Sequence, residues 1–375
     1  MVSGLYVGLM SGTSLDGVDG VLADFAGPPD IPPRVLGHAH APFDDALRAT
    51  LLRLNRSGPD ELHTAALAAN ALMRHYARVV AELVRTAGTA PGRVRALGAH
   101  GQTVRHRPLE FDGTGYTLQL MNGALLAELS GIDVVCDFRS RDVAAGGQGA
   151  PLVPALHAAL FGRAGIAGAV LNLGGIANLT LLHADGRVQG FDTGPANALL
   201  DLWCRRHRGL PFDADGRLAA SGRVDEALLA RMLAEPYFDR APPKSTGRDL
   251  FDADWLDRHL RGVRGALPPE DVQATLAELT ARSVAAALLR CAPRTTQLLV
   301  CGGGAANADL MRRLRARLPT IGVEDTGTRG VPPQQVEALA FAWLAHAYVE
   351  RRAGNVASVT GARGPRILGA LYPAG

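Results

Sequence analysis

Asp192 is the residue of this sequence best placed for proton transfer. It follows an apolar stretch that is typical of a strand, and Gly194-Pro195 come after it as a turn. A carboxylate held at such a point can take a proton from water or from a sugar hydroxyl. An aspartate before a turn is also typical of an Asx turn or a helix N-cap. Asp192 is therefore the candidate general base, with a structural role as the alternative.

Three glycine-rich turns, each after an apolar strand, could bind phosphate through converging backbone N–H groups. Ordinary hairpins and tight strand-to-helix turns use the same residue types, and that remains the alternative for each turn. Because the three lie far apart in the sequence, we expect them to hold one nucleotide between two lobes. The predicted contacts are Gly12, Thr13, Ser14, Leu15, Asp16, Gly17, Val18 and Asp19 in the first turn, Gly174, Gly175 and Asn178 in the second, and Gly302, Gly303, Gly304 and Asn307 in the third.

The acidic residues of the first turn could hold a magnesium ion. Mg²⁺ usually takes one or two carboxylates and keeps several waters, and Asp16 is the candidate ligand here. The chain has neither a GxGxxG fingerprint nor a Walker A sequence. Lys244 stands before Ser245-Thr246 but lacks the upstream glycines of a P-loop.

A second group of polar residues suits a polyhydroxylated or carboxylated substrate. Glutamine and threonine side chains can bind hydroxyls, and arginine can bind a carboxylate. The candidates are His100, Gln102, Thr103, Asp137, Arg139 and Glu337. For His100 a structural role is favoured over a catalytic one. Glu337 stands in an otherwise apolar helical stretch, where it is either solvated or a buried ligand.

Composition excludes several classes of protein. With 375 residues, 47% hydrophobic and 20% charged, the chain is typical of a globular protein of two domains. A net charge of +3 and no basic run with interleaved aromatics argue against nucleic-acid binding. The four cysteines show no CxxC spacing, which argues against zinc or a disulfide framework. No signal peptide or membrane span is apparent, so we expect a cytoplasmic protein without membrane contact.

Strands and helices alternate along the chain, which predicts an α/β protein with its ligands at the carboxyl ends of the strands. Residues 5–25 and 168–191 share the pattern strand, turn, strand, which is a weak internal repeat of topology. The predicted strands are Leu5–Met10, Val18–Phe25, Val94–Ala99, Asp133–Phe138, Gly168–Leu173, Leu179–Leu182, Val188–Phe191 and Gln297–Cys301. The predicted helices cover about 60–87, 272–290, 308–318 and 333–351.

Motifs in a specific order along nearly the whole chain carry a resemblance to a known family. They are Gly8–Asp19, Gly98–Thr103, Asp137–Arg139, Gly146–Pro151, Asn172–Asn178, Phe191–Pro195, Pro243–Arg248 and Cys301–Gly304. Together they resemble the anhydro-N-acetylmuramic acid kinases. The resemblance implies a two-lobed α/β fold with a central cleft, the actin-like ATPase or ribonuclease H-like fold. The expected domains are 1–150 with about 345–375, and about 151–344.

The chain departs from the wider superfamily at two positions. Met10 stands where many relatives carry Asp in the first phosphate turn, and Asn172 stands where many carry Asp in the second. The kinase family tolerates the first change, which leaves the magnesium ligand open, with Asp16 as one option. Asn172 cannot act as a base.

The reaction that the resemblance implies uses ATP and Mg²⁺. Water opens the bridge of 1,6-anhydro-N-acetylmuramic acid, the freed O6 is phosphorylated, and Asp192 matches the position of the family's base. The expected partners are the sugar and ATP, with a homodimer as a further expectation. Two alternatives stay open: an ordinary amino-sugar kinase without hydrolysis of the bridge, and a non-enzymatic ATP-gated binding module.

Overall fold

The chain forms two compact units in a computed structural model that describes residues 4–12, 15–27, 32–247, 250–263 and 265–375. The first unit comprises Met1–Leu160 and Gln335–Gly375, and the second comprises Phe161–Gln334. Thr13 and Ser14, two of the predicted nucleotide contacts, lie outside the described residues.

The first unit combines a six-stranded sheet, a two-stranded ribbon and helices. Its strands are β1 (Leu5–Met10), β2 (Gly17–Asp24), β3 (Arg34–Pro42), β4 (Val94–Ala99), β5 (Gln102–Pro108), β6 (Gly115–Leu120), β7 (Val134–Cys136) and β13 (Ala370–Tyr372). Its helices are α1 (Asp45–Arg53), α2 (Glu61–Thr86), α3 (Gly123–Ser130), α4 (Ser140–Ala144), α5 (Val153–Phe161), α12 (Val336–Val349) and α13 (Ala357–Thr360). The sheet order is β13-β7-β4-β1-β2-β3, and β5 pairs with β6 in the ribbon.

Helices α2 and α12 cover opposite faces of the central strand β1. Val7 and Leu9 are fully buried in the core that α2 shares, and successive strand residues point to opposite faces. On the other face, glycine allows α12 to approach closely. A Cβ added at Gly8 would lie 1.9 Å from Ala338 O, and one at Gly98 would lie 1.9 Å from Phe341 O. These two glycines are therefore required by helix-on-sheet packing.

The second unit contains a five-stranded sheet with the order β10-β9-β8-β11-β12. The strands are β8 (Gly168–Leu173), β9 (Ile176–Leu182), β10 (Val188–Pro195), β11 (Gln297–Cys301) and β12 (Gly322–Asp325). The helices are α6 (Asn197–Arg208), α7 (Arg217–Ser221), α8 (Glu226–Leu233), α9 (Ala253–Arg261), α10 (Pro269–Cys291) and α11 (Ala308–Arg317). Helix α10 is buried along most of its length and packs on α6, α7, α8 and α11.

The two units repeat one topology. In each, the first strand pairs antiparallel with the second, the second pairs antiparallel with the third, and the first pairs parallel with the fourth. A fifth strand then continues parallel to the fourth. This is the strand arrangement of the ribonuclease H-like fold, so the predicted α/β class and the predicted topological repeat are confirmed.

The structure also corrects several predicted elements. The predicted turn Gly174–Asn178 is shorter, because β9 begins at Ile176 and includes Asn178. Residues 133–138 form a strand of only three residues, Val134–Cys136. Strands β3, β5, β6, β12 and β13 were not predicted. Within the ranges that the structure describes, no helix is both long and apolar enough to cross a membrane.

Candidate functional site

The first glycine turn is tied to the residues that follow β4. The Ser11 hydroxyl donates to Gly101 O at 2.9 Å and lies 2.9 Å from the Tyr76 hydroxyl. Burial raises the pKa of the Tyr76 hydroxyl well above its ordinary value. The Gln102 amide nitrogen donates to Gly12 O at 3.1 Å. The predicted phosphate turn and the predicted sugar residues thus share one hydrogen-bonded cluster in the first unit.

His100 is a neutral acceptor that orients Arg139. Its Nδ1–H donates to Ser11 O at 3.2 Å, and its Nε2 accepts from Arg139 Nη2 at 2.9 Å and from Nε at 3.2 Å. Burial first, and the Arg139 charge second, lower the pKa of His100 to about 3. His100 thus uses both ring nitrogens in hydrogen bonds that hold Arg139 and the first turn in place.

Arg139 is held on its other side by the glycine-rich segment after α4. Arg139 Nη1 donates to Gly149 O at 2.8 Å, and Gly149 N donates to Asp142 Oδ2 at 2.8 Å. Asp142 is fully buried, and its Oδ1 accepts from Asn355 Nδ2 at 2.6 Å and Thr360 Oγ1 at 2.8 Å. The guanidinium is thereby fixed from two directions. The role of Asp142 was not apparent from the sequence, because its side-chain partners Asn355 and Thr360 lie more than 200 residues away.

Arg139 remains a cation despite its burial. Burial lowers the pKa of Arg139 to about 10, and the charges of Glu337 and Asp142 act in the opposite direction. Glu337 lies in the first turn of α12 and is half-buried. The structure therefore brings together His100, Arg139 and Glu337, which are far apart in the sequence.

The other predicted sugar residues differ in their surroundings. Gln102 is 1% exposed, and its Oε1 is a buried acceptor without a hydrogen-bond partner among the described residues. Thr103 Oγ1 accepts from Gln119 in the ribbon. Asp137 is exposed, has a left-handed backbone with φ of 57°, and accepts from Ser140 Oγ at the start of α4. The geometry thus places Gln102 in the cluster and Asp137 on the surface.

Residues of the first turn fall into two groups. Leu15 and Val18 belong to the hydrophobic core, so only their backbones are available to a ligand. Asp19 Oδ1 lies 3.3 Å from His38 Nε2 and 3.1 Å from His40 Nδ1 on β3. Gly17 has no room for a side chain, because a Cβ would lie 2.4 Å from Ala41 O. Asp16 is the exposed carboxylate of this turn.

In the second unit, Asp192 on β10 is held by donors to both carboxylate oxygens. Asn178 Nδ2, on the neighbouring strand β9, donates to Oδ1 at 2.8 Å. Thr246 N donates to Oδ2 at 3.0 Å. Burial raises the pKa of Asp192, and Asn178, Thr246 and Lys244 act in the opposite direction. The result is an oriented carboxylate with a greater affinity for protons than an ordinary aspartate.

The segment around Lys244 supports Asp192, a role that was not apparent from the sequence. Asp192 N donates to Lys244 O at 3.1 Å, and the Tyr237 hydroxyl donates to Asp192 O at 2.8 Å. Lys244 Nζ donates to the carbonyls of Tyr237 and Phe238 and lies 4.6 Å from the centre of the Tyr237 ring. The only available signal was the motif Pro243–Arg248 itself, of which Arg248 lies outside the described residues.

The two glycines of the second turn have enough space around them for a side chain. Gly174 and Gly175 link β8 to β9, and their carbonyls accept from the first amides of α6. A Cβ at either position would make only ordinary contacts of 3.6 Å, and neither glycine has a positive φ. Packing therefore does not account for glycine at these positions.

The third turn mixes structural and unconstrained positions. Gly302 has φ of 81°, and a Cβ there would lie 2.4 Å from Asn172 Oδ1. A Cβ at Gly304 would lie 2.6 Å from Leu173 Cβ, whereas one at Gly303 would meet nothing within 4 Å. The Asn307 side chain caps α11 by accepting from Leu310 N at 3.0 Å. Gly303 is thus the open glycine of this turn.

Comparison with known proteins identifies the family. The model of the family described as "Anhydro-N-acetylmuramic acid kinase" matches residues 4–374. The chain belongs to the anhydro-N-acetylmuramic acid kinase family. A curated member of this family from Variovorax paradoxus is 61% identical, with all of both chains covered. Another from Cupriavidus metallidurans is 58% identical, over 99% of this chain and 98% of that protein.

A third member of the family, from Bordetella petrii, is 61% identical over 99% of this chain and 96% of its own length. Among solved structures, an activator of 2-hydroxyisocaproyl-CoA dehydratase from Clostridium difficile with bound ADPNP is 13% identical. It covers 92% of this chain and 96% of its own, with a TM-score of 0.48. The family relatives match this chain from end to end, which confirms the resemblance found in the sequence motifs.

Proposed function

We propose that this protein uses ATP to convert 1,6-anhydro-N-acetylmuramic acid to N-acetylmuramate 6-phosphate and ADP, in the recycling of cell-wall sugars. Family membership supports the substrate and the phosphoryl transfer. The observation that carries the mechanism is the carboxylate of Asp192, oriented by Asn178 and Thr246 and raised in pKa by burial. A general base works best when its pKa approaches the working pH.

In the proposed reaction, Asp192 takes a proton from the water that attacks C1 of the sugar. The new bond joins the water oxygen to C1, and the bond between C1 and O6 breaks. O6 keeps that electron pair and forms a bond to the γ-phosphorus, while the bond from phosphorus to the β-phosphate oxygen breaks and ADP leaves. Because the leaving oxygen of the sugar is the nucleophile toward phosphorus, one carboxylate serves both bond changes.

The glycine turns are proposed to position the phosphates of ATP. Gly174, Gly175 and Gly303 have space that packing does not require, so a ligand can approach their backbones closely. Gly12 in the first turn is a further proposed contact to the phosphates. Gly302, Gly303 and Gly304 in the third turn are proposed to lie near the adenosine. Such turns act mainly by orienting the transferring group and stabilising its charge.

Magnesium is proposed to bind beside the first turn. Within the described ranges, no three His, Cys, Asp or Glu side chains are grouped to hold a metal ion. One or two carboxylates with several waters suffice for Mg²⁺, and the exposed Asp16 offers such an oxygen donor. When bound, the ion would neutralise charge on the transferring phosphoryl group.

Arg139 and Gln102 are the proposed contacts to the sugar. The fixed Arg139 guanidinium suits the lactyl carboxylate, since arginine binds carboxylates with two parallel hydrogen bonds. Gln102 Oε1 would accept from a hydroxyl or amide of the sugar and so gain the partner that the described residues do not give it. Thr103, Asp137 and Glu337 complete the proposed set of sugar contacts.

We further propose that the two units are the domains, and that the protein is a cytoplasmic homodimer.

Incubation with the anhydro sugar and ATP in ¹⁸O-water tests the proposal. Label should enter at C1 of the phosphorylated product, with one ADP released for each product molecule. N-acetylmuramate 6-phosphate kept in ¹⁸O-water without enzyme corrects for spontaneous exchange at C1. An ordinary amino-sugar kinase would phosphorylate only unbridged sugars, and an ATP-gated binding module would release ADP at a rate that no muramic sugar changes. Either result would contradict the proposal.

A further inference from the structure

The first unit contains a large cavity lined by arginines. Its volume is about 790 Å³, and its described lining includes Arg95, Arg141, Arg351, Arg366, Asp133 and Tyr348. The four arginines come from separate parts of the chain: the start of β4, helix α4, the end of α12 and the segment before β13. Such convergence concentrates positive charge in one concave surface.

The positive charge of this cavity is only partly balanced by carboxylates of the fold. In the part of the chain that the structure describes, none of the four arginines forms an ion pair with a carboxylate. Asp133 is the one acid in the described lining, and its Oδ1 already accepts from Ala374 N at 3.0 Å. Arg95 contacts the hydroxyl of Tyr6, which is uncharged at neutral pH. The four guanidinium groups therefore outnumber the one carboxylate of the described lining.

Arginines beside a helix C-terminus often serve its last carbonyls, but α12 does not need them. Backbone N–H groups already donate to the last turn: Glu350 N to His346 O at 3.0 Å, Arg351 N to Tyr348 O at 3.0 Å, and Arg352 N to Ala347 O at 2.7 Å. Arg351 adopts a left-handed backbone with φ of 52°, which is uncommon outside glycine. Helix capping thus does not account for the arginine side chains.

Hydrogen bonds hold the lining residues on one side of this cavity in place. Arg366 N donates to Asn355 Oδ1 at 2.7 Å, and Asn355 Nδ2 donates to the buried Asp142. Arg141 is the neighbour of Asp142 on α4. At the other side, Arg95 and Asp133 lie at the amino ends of β4 and β7, whereas His100 and Asp137 follow the carboxyl ends of the same strands. Arg95 is therefore about 16 Å along the strand from His100.

We propose that this cavity binds a small anion with at least two phosphate groups, separate from the reacting ATP. Guanidinium groups bind phosphate oxygens with paired, charge-assisted hydrogen bonds. A singly charged anion would leave most of the four guanidinium groups unpaired, whereas two linked phosphates can engage several. The cavity is large enough for a molecule of this class.

Calorimetric titration with inorganic pyrophosphate tests the proposal on the full chain. A saturating non-hydrolysable ATP analogue keeps any nucleotide site occupied throughout. The double variant Arg141→Gln with Arg351→Gln removes two lining charges that have no carboxylate partner. We expect its affinity for pyrophosphate to fall at least about tenfold, since each charge-assisted contact contributes measurably to binding. Turnover of the sugar substrate without pyrophosphate should be unchanged.

The matched control is Arg187→Gln with Arg294→Gln, which removes two arginines from a cavity of about 430 Å³ in the second unit. This control should keep the affinity of the unaltered protein within about twofold. If both double variants lost the same affinity for pyrophosphate, binding would depend on the overall charge of the protein and the proposal would be overturned. Malonate of equal affinity would overturn the assignment to phosphate, and absence of binding at millimolar pyrophosphate would overturn the site itself.

Discussion

At the scale of single residues, Asp192 depends on groups that flank it in space rather than in sequence. Asn178 is 14 residues away and Thr246 is 54 residues away, yet each donates to one of its carboxylate oxygens. Two donors fix the plane of the carboxylate and leave its remaining lone pairs for water. This arrangement distinguishes Asp192 from an ordinary Asx turn, in which the side chain would accept from the backbone two residues ahead.

Asp192→Asn should abolish turnover while nucleotide binding persists. The amide cannot take a proton from water, so kcat should fall about 10²–10⁴-fold, the usual contribution of a general base. A coupled ADP assay gives kcat, and calorimetry with an ATP analogue gives the affinity. Asp185→Asn, an exposed acid between β9 and β10, is the control and should keep full activity. Near-normal turnover by a folded, magnesium-replete Asp192→Asn variant would remove this residue from the mechanism.

Removal of one donor should shift the pH profile in a defined direction. The pKa of Asp192 is already raised above 3.8 by burial, and the Asn178 hydrogen bond stabilises the charged form. Asn178→Ala should therefore raise the pKa of Asp192 further, and the acidic limb of kcat/KM should move to higher pH. The measurement is kcat/KM for the sugar between pH 4 and 8 in both proteins, since this ratio reports the free enzyme. A limb that stays in place or moves to lower pH would contradict the assigned hydrogen bond.

At the scale of elements, the fit of α12 on the first sheet depends on two glycines. Gly98→Ala would force a methyl group against Phe341 O, and the backbone of α12 would have to move. We expect a loss of at least about 1–3 kcal/mol in the free energy of unfolding, the usual cost of overpacking. Circular dichroism with increasing urea gives the unfolding midpoint, and hydrogen exchange of α12 peptides locates the change.

Gly92→Ala is the matched control for this element. It lies in the same unit, just before β4, has no positive φ, and a Cβ there would meet nothing within 4 Å. Its midpoint should therefore match that of the unaltered protein. If Gly98→Ala were as stable as Gly92→Ala, with unchanged exchange in α12, the close packing of helix on strand would be wrong.

At the scale of the whole molecule, contiguous apolar runs predicted the strands better than alternating patterns did. Strands β4, β8 and β11 have the predicted bounds, because most of their residues are apolar and buried, although Arg95 in β4 is exposed. Strand β3 was not predicted, because no residue in it is buried. It is defined only by its pairing with β2. The repeated topology was readable from strand and turn order. The supports of Asp192 and Arg139 were not, because they depend on contacts between distant segments.

Lys244 is the sole lysine of the chain, so it carries the one side-chain amine that an acylating reagent can modify. Burial first, and then the charge of Arg290, lower the pKa of Lys244, so more of the neutral amine is present near neutral pH than for an ordinary lysine. Acetylation would remove the ammonium donor to the carbonyls of Tyr237 and Phe238, next to the segment that holds Asp192.

The N-hydroxysuccinimide ester of acetic acid should therefore inactivate the protein in step with acetylation of Lys244, as followed by peptide mass spectrometry. Lys244→Arg keeps a cationic donor and should remain active through the same treatment. Full activity in protein that is fully acetylated at Lys244 would show that this lysine does not support the carboxylate.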